Sequence, residues 1–314
     1  KGLAYSIQSF LCNAGSLVGF LFPFIFTWIG ISNIAPQGVV PDSVIYSFYI
    51  GAAILILCVI YTTVKVKEMP PAEYAEYHGI TEEEEKEKIN MVKLLIKAPK
   101  AFWTVGLVQF FCWFAFMFMW TYTNGSVAAN VFDAPTVETA VNGVSKVMLD
   151  TKSIQYQDAA DWVGVLFAVQ AIGSVLWAVC IPLFKDRKLI YSLSLVLGGL
   201  GFISTYFVHN QYVLFISFLL IGCAWAAMLA LPFTILTNAL SGGHMGTYLG
   251  LFNGTICIPQ IVAASLGGSI LALFTPKGML PPEINMLVMA GVMLIIGAVC
   301  VYLIKETKGE QTKA

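Results

Sequence analysis

Eight apolar stretches, each long enough to cross a bilayer as a helix, fill most of this chain of 314 residues. A hydrocarbon core of about 30 Å needs about 20 apolar residues in helical form. Stretches of that kind cover residues 5–29, 43–64, 102–123, 160–183, 189–209, 212–237, 246–274 and 284–304. Lipid offers the backbone no hydrogen-bond partner, so each stretch is expected to satisfy its amides internally, as a helix. With 58% hydrophobic and 11% charged residues, the chain does not fit inside one soluble core of ordinary size. The expected fold class is an all-α integral membrane bundle.

The basic residues fall in alternate connectors. Fourteen of the 17, from Lys1, Lys65 and Lys67 through Lys185, Arg187 and Lys188 to Lys305, Lys308 and Lys313, share one side; Lys146, Lys152 and Lys277 lie opposite. The retention of Lys and Arg in short cytoplasmic loops then places both visible termini in the cytoplasm. The opening Lys1-Gly2-Leu3-Ala4-Tyr5 has neither an initiator methionine nor a signal peptide and enters a span directly, which reads as a piece of a longer chain.

Several functions are disfavoured. A formal net charge of −1, without basic clusters interleaved with aromatics, argues against nucleic acid as a partner. The seven cysteines all lie within apolar spans and form no CxxC pair, so neither a disulfide nor a metal site is expected, and no cofactor. No HExxH, P-loop, GxSxG elbow or paired carboxylates occur within a span, so catalysis is not expected. His78, His209 and His244 sit in or beside connectors, as ordinary loop residues. No Asp, Glu, Lys or Arg is read as deep in a span, where such groups usually mark ion pathways.

The connector from Lys65 to about Lys100 carries Pro70-Pro71 and the run Glu82 to Lys88, and reads as a solvated linker between two spans and six. On the opposite side, residues 124–158 read as a long polar connector.

The spans carry uncharged polar and aromatic residues in helical register, a lining suited to a neutral, hydroxyl-rich solute. At 100° per residue, Gln109, Trp113, Phe116, Trp120 and Asn124 fall within about 80° of one another. Interface aromatics and interhelix hydrogen bonds are the competing explanation, and they account for Trp120 and Asn124 better than for Gln109 and Trp113. Phe167, Gln170, Ser174 and Trp177 form a comparable face, as do Asn253 and Gln260; polar glue between helices competes here too. In the first span Gly15 and Gly19 form a packing strip and Asn13 is a candidate cavity residue. Pro232 and Pro259 bend their spans, and with Trp225, Asn238, Gly250 and Gly254 they mark a candidate kink or gate.

The stretches GLAYSIQSFLCNAGSLVG, YSFYIGA, WFAFMFMWTYTNGSVA, DWVGVLFAVQ, ALPFTILTNAL and GTYLGLFNGTICIPQI together resemble the sugar-cation symporters of the major facilitator superfamily. The nearest resemblance is to sucrose- and maltose-type transporters related to the glycoside-pentoside-hexuronide group. It implies a major facilitator-type bundle in which residues 1–64 are the last two helices of the N-terminal half. Residues 65–100 would be the cytoplasmic linker, 101–305 the six-helix C-terminal half and 306–314 a tail, with about four earlier spans missing. The substrate cavity then lies between the halves, so faces bearing Asn13, Gln109, Trp113, Trp120, Asn124, Gln170, Trp177, Asn238, Asn253 and Gln260 are expected to approach a disaccharide-like sugar. The resemblance further implies a monomer in the plasma (inner) membrane, coupled to a proton in preference to sodium. The coupling carboxylates would lie in the N-terminal half. Phe184 to Lys188 resembles a degenerate copy of the superfamily's cytoplasmic loop motif, with Asp186 and Arg187 as candidate latch residues; simple positive-inside topology is the alternative. A carrier of another small solute and a non-transporting scaffold or sensor remain open as functions.

Overall fold

The computed structural model describes residues 2–31, 40, 42–67, 70, 73, 77, 91–141, 144–240 and 245–304. The histidines His78 and His244, the Glu82 to Lys88 run, Pro71 and the last residues from Lys305 lie outside them. The described helices are α1 (Gly2–Trp28), α2 (Asp42–Lys65), a short α3 (Met91–Ile96), α4 (Lys100–Asn130), α5 (Ile154–Cys180), α6 (Arg187–Ser204), α7 (Leu214–Ala239), α8 (Met245–Phe252), α9 (Gly254–Phe274) and α10 (Ile284–Cys300). Among the described residues, seven spans are long and apolar enough to cross a membrane, with α8 and α9 counting as one; α1, 27 residues long, holds the apolar stretch Phe10–Phe22. The chain is therefore an all-α, multi-pass membrane bundle.

Local chemistry sets the helix ends. Asp186 caps α6 by accepting from the amides of Lys188 and Leu189 at 2.9 and 3.1 Å, and Ser153 caps α5 through the Tyr156 amide at 3.3 Å. Asp133, with φ 49°, turns the chain out of α4. The apolar stretch 246–274 is broken at Asn253. Pro259 denies the Thr255 carbonyl its helical partner, and the turn is closed locally: the Asn253 amide donates to Gly250 O at 3.2 Å and the Thr255 hydroxyl to Phe252 O at 2.7 Å.

The connector expected to be a polar loop instead holds a hairpin, β1 (Thr136–Val141) paired antiparallel with β2 (Val144–Leu149), with Glu138 opposite Val147 and Thr139 opposite Lys146. Its strands run only six residues each and do not alternate cleanly in polarity, so they do not stand out beside the spans, and the sequence Asn142-Gly143 between them is the short-turn signal.

Helices α4, α5, α6, α7, α9 and α10 form one packed body: α5 and α6 flank α7, α10 sits between α4 and α6, and α9 lies on α4. Helix α1 packs on α5 and α7, whereas α2 touches α1 and buries only Ser43. Since lipid tails are as apolar as Leu, the body is held by close packing and a few hydrogen bonds rather than by hydrophobic exclusion. Backbones come together where side chains are absent. A β-carbon on Gly199 would lie 2.9 Å from Gly291 O, one on Gly201 2.6 Å from Ser217 O, and one on Gly173 2.6 Å from Leu219 O. Polar ties cross the same seams, from Ser192 to Ala298 O at 3.1 Å and between Ser204 and Ser217 at 2.8 Å.

Candidate functional site

The polar and aromatic face of α4 turns inward. Gln109 and Phe116 are fully buried and Trp113 nearly so, while Trp120 is 43% exposed, so the face opens toward the C-terminal part of the helix. Its rings close on one residue of α7, Trp225: ring centroids lie 5.8 Å from Trp113, 4.8 Å from Phe116 and 5.7 Å from Trp120. Phe202 of α6 backs Phe116 at 5.8 Å. The edge-to-face and tilted geometries are those favoured by ring quadrupoles.

Within this aromatic frame, Gln109 Nε2 donates to Met228 O at 3.3 Å, across 119 residues of sequence. The partner is explained by Pro232, which stands four residues after Met228 inside α7 and has no N–H for that carbonyl. The Gln109 side chain therefore supplies the bond that the proline removes. What remains open is complementary: Gln109 Oε1, an acceptor, and Trp113 Nε1, a donor, are buried, one helical turn apart, and have no hydrogen-bond partner among the described residues.

The other predicted positions divide. Asn124 Nδ2 donates to Tyr156 OH at 2.9 Å, which ties α4 to α5, and its Oδ1 is buried without a partner among the described residues. Gln170 is buried and Ser174 fully so, with its hydroxyl unpartnered among the described residues. Both stand where α5 meets α7: a β-carbon on Gly222 would overlap Gln170 O and lie 2.7 Å from Ser174 N. Trp177 shares their face in sequence, but its Nε1 donates to Ser194 Oγ of α6 at 2.8 Å, a helix-to-helix tie. Asn13 is buried on α1, which reaches this region through Phe20 and Phe167, 5.7 Å apart. Asn238 is exposed at the C-terminal end of α7, about 15 Å along the axis from Met228. Asn253 is exposed at the α8–α9 break and Gln260 is half-buried on α9. No described contact joins those three to the Trp113 cluster.

Pro232 and Pro259 are both buried inside their helices. β-Carbons on Gly15, Gly19 or Gly250 would meet nothing within 4 Å, and one on Gly254 would meet only Ile258 Cδ1 at 3.8 Å. Arg187 is exposed beside the capping Asp186.

Two residues have roles the sequence reading did not assign. Trp225, read there only as a companion of the Pro232 kink, joins the α4 rings through the fold. Glu283, just before α10, carries a half-buried carboxylate, and the sequence signal was present: an acidic residue directly before an apolar run.

The sequence model of the Major Facilitator Superfamily matches residues 135–314. The chain belongs to the Major Facilitator Superfamily. Members are membrane transporters of small molecules, which agrees with a bundle whose buried face carries unspent hydrogen-bonding groups. Among curated proteins, none matches the chain.

Proposed function

We propose that this superfamily member is a secondary carrier of a neutral sugar of the disaccharide class, moved by alternating access and coupled to a proton in preference to sodium. One observation carries the reading. The unpartnered Trp113 Nε1 and Gln109 Oε1 form a donor–acceptor pair framed by the rings of Trp113, Trp120, Phe116 and Trp225. A hydroxyl both accepts and donates and so satisfies the pair, while the apolar face of a sugar ring lies on an indole. Gln170, Ser174 and Asn13 extend the polar lining toward α1. In this reading α4–α10 act as one six-helix half, α1 belongs to the opposing half, and residues 65–100 link the two. The protein works as a monomer in the plasma membrane with both visible termini on the cytoplasmic side.

The geometry also suggests how occupancy reaches the backbone. The amide that would meet the solute through Oε1 holds the proline-freed Met228 carbonyl through Nε2, so a solute pulling on Gln109 pulls on the bend of α7. A moderate affinity is expected, because a carrier that holds its solute tightly does not release it.

The test is uptake of radiolabelled sucrose and maltose by proteoliposomes of the full-length protein, with and without an inward proton gradient. Trp113→Phe, which keeps a ring and removes the donor, should weaken solute binding about tenfold, the loss of one hydrogen bond of about 1.4 kcal/mol. Gradient-independent uptake would remove the coupling. Absence of uptake of either sugar by folded protein would remove the sugar assignment and favour another neutral solute.

A further inference from the structure

One half-buried acidic side chain takes no part in the site above. Glu283 directly precedes α10, in the position of its N-cap, yet its side chain makes no cap hydrogen bond. An ionised carboxylate there would gain from the free amides and the positive end of the helix. Instead the side chain turns onto α4 and fills the space left by Gly125. A β-carbon on Gly125 would overlap Glu283 Oε2 and lie 2.8 Å from Oε1. The next residue of the same α4 face, Tyr122, does the same on its other side: its hydroxyl lies 2.5 Å from where a β-carbon of Gly267 on α9 would stand. Two glycine notches thus seat a carboxyl and a phenol in a row, and join the ends of α4, α9 and α10.

The carboxylate has no cation and no hydrogen-bond donor among the described residues. From α4 it faces Tyr122, and the only charged residue of that helix, Lys100, is at the far end; Asp133, beyond the near end, is exposed. From α6, Arg187, Lys188 and Tyr191 are at the far end, and Tyr206 and His209, which follow the near end, are exposed. Helix α9 has no charged residue, its Cys257 lies at the far end, and Lys277 stands exposed in the connector after it. On α10 itself the titratable Cys300 is at the other end.

A carboxyl seated against a glycine backbone without a cation or donor is stable as the neutral acid. We infer that Glu283 is a proton-binding site of this transporter, and that its protonated side chain, seated in the Gly125 notch, fastens the start of α10 to the end of α4. Burial pushes the Glu283 carboxyl up from 4.5 to about 7. The sign follows from linkage. The seated form has the raised value, so it is fully favoured below the ordinary carboxylate range and progressively lost as pH rises through about 7. Above that pH the charged carboxylate leaves the notch for water or for the amides of α10. Across this window the ratio of seated to released forms should fall on the order of a hundredfold. The inference does not depend on which solute is carried.

The test uses the full-length protein in lipid nanodiscs over a pH series. Infrared spectroscopy should show a protonated-carboxyl band that titrates away near pH 7 and is missing in Glu283→Gln. Hydrogen exchange, corrected for its intrinsic pH dependence, should show residues 122–130 and 283–290 opening above the same pH. In Glu283→Gln, whose neutral amide keeps the seat, they should stay protected throughout, and in Gly125→Ala they should be open at every pH. A band titrating in the ordinary carboxylate range would overturn the inference. So would wild-type pH dependence of exchange in the folded Glu283→Gln protein.

Discussion

Replacing Gln109 with Leu tests the most specific claim about the bundle, that this side chain serves a carbonyl orphaned by a proline. The fully buried Gln109 donates at 3.3 Å to Met228 O, and the residue that would otherwise serve that oxygen is Pro232. Leaving a buried carbonyl unpaired costs about 1–3 kcal/mol. Interhelix hydrogen bonds in membranes average about 0.6 kcal/mol and reach about 1.7. The bond is long, and Gln109 Oε1 is itself buried without a partner among the described residues, so its removal returns part of the loss. The net cost should be about 1 kcal/mol. In a Pro232→Ala background, residue 232 regains an N–H for the Met228 carbonyl, and Gln109→Leu should then cost close to nothing. The assay is a double-mutant cycle by reversible unfolding in mixed micelles, with an expected coupling of about 1 kcal/mol between residues 109 and 232. An equal cost for Gln109→Leu in both backgrounds would refute the reasoning.

Gly222→Ala should destabilise by about 1–3 kcal/mol, because the new methyl meets the backbone of Gln170 and Ser174 and no rotamer relieves it. Gly164→Ala, which meets nothing within 4 Å on the same α5, should be neutral or stabilise by up to about 1 kcal/mol; thermal unfolding of the two should differ in sign. Asp186→Ala should cost about 1 kcal/mol through loss of the α6 cap while Asp186→Asn costs little, a contrast that a latch dependent on charge would not produce. Trp177→Phe and Ser194→Ala should each lower stability by about 0.6 kcal/mol and together by no more than one of them, since they remove the same 2.8 Å bond.

The spans were legible because apolar length is a property of consecutive residues. The α4 face was legible for the same reason: Gln109, Trp113, Phe116 and Trp120 share it at helical spacing, and the structure turns it inward. Where a signal was short or depended on a partner, the sequence was silent. The stretch 246–274 is continuous in hydropathy, so the break at Asn253 shows only as the flanking Gly250, Gly254 and Pro259. Trp177 lies on the face of Gln170 and Ser174, but a neighbour on α6 claims its N–H. Glycine spacing drew attention to Gly15 and Gly19, whereas the closest described approaches of backbone to backbone fall at Gly173, Gly199, Gly201, Gly222 and Gly291. A glycine permits an approach, and only the neighbouring helix decides whether one is made.

The order of residues alone makes this chain a helical membrane bundle, because bilayer thickness sets the length of an apolar run and a dry backbone must bond to itself. Tertiary structure decided which polar groups are spent and which are left over. Gln109 and Met228 are 119 residues apart, Trp113 and Trp225 meet only across α4 and α7, and Glu283 finds Gly125 from the other end of the domain. In a low-dielectric interior each such group must take a partner or remain costly, and helices distant in the chain supply those partners.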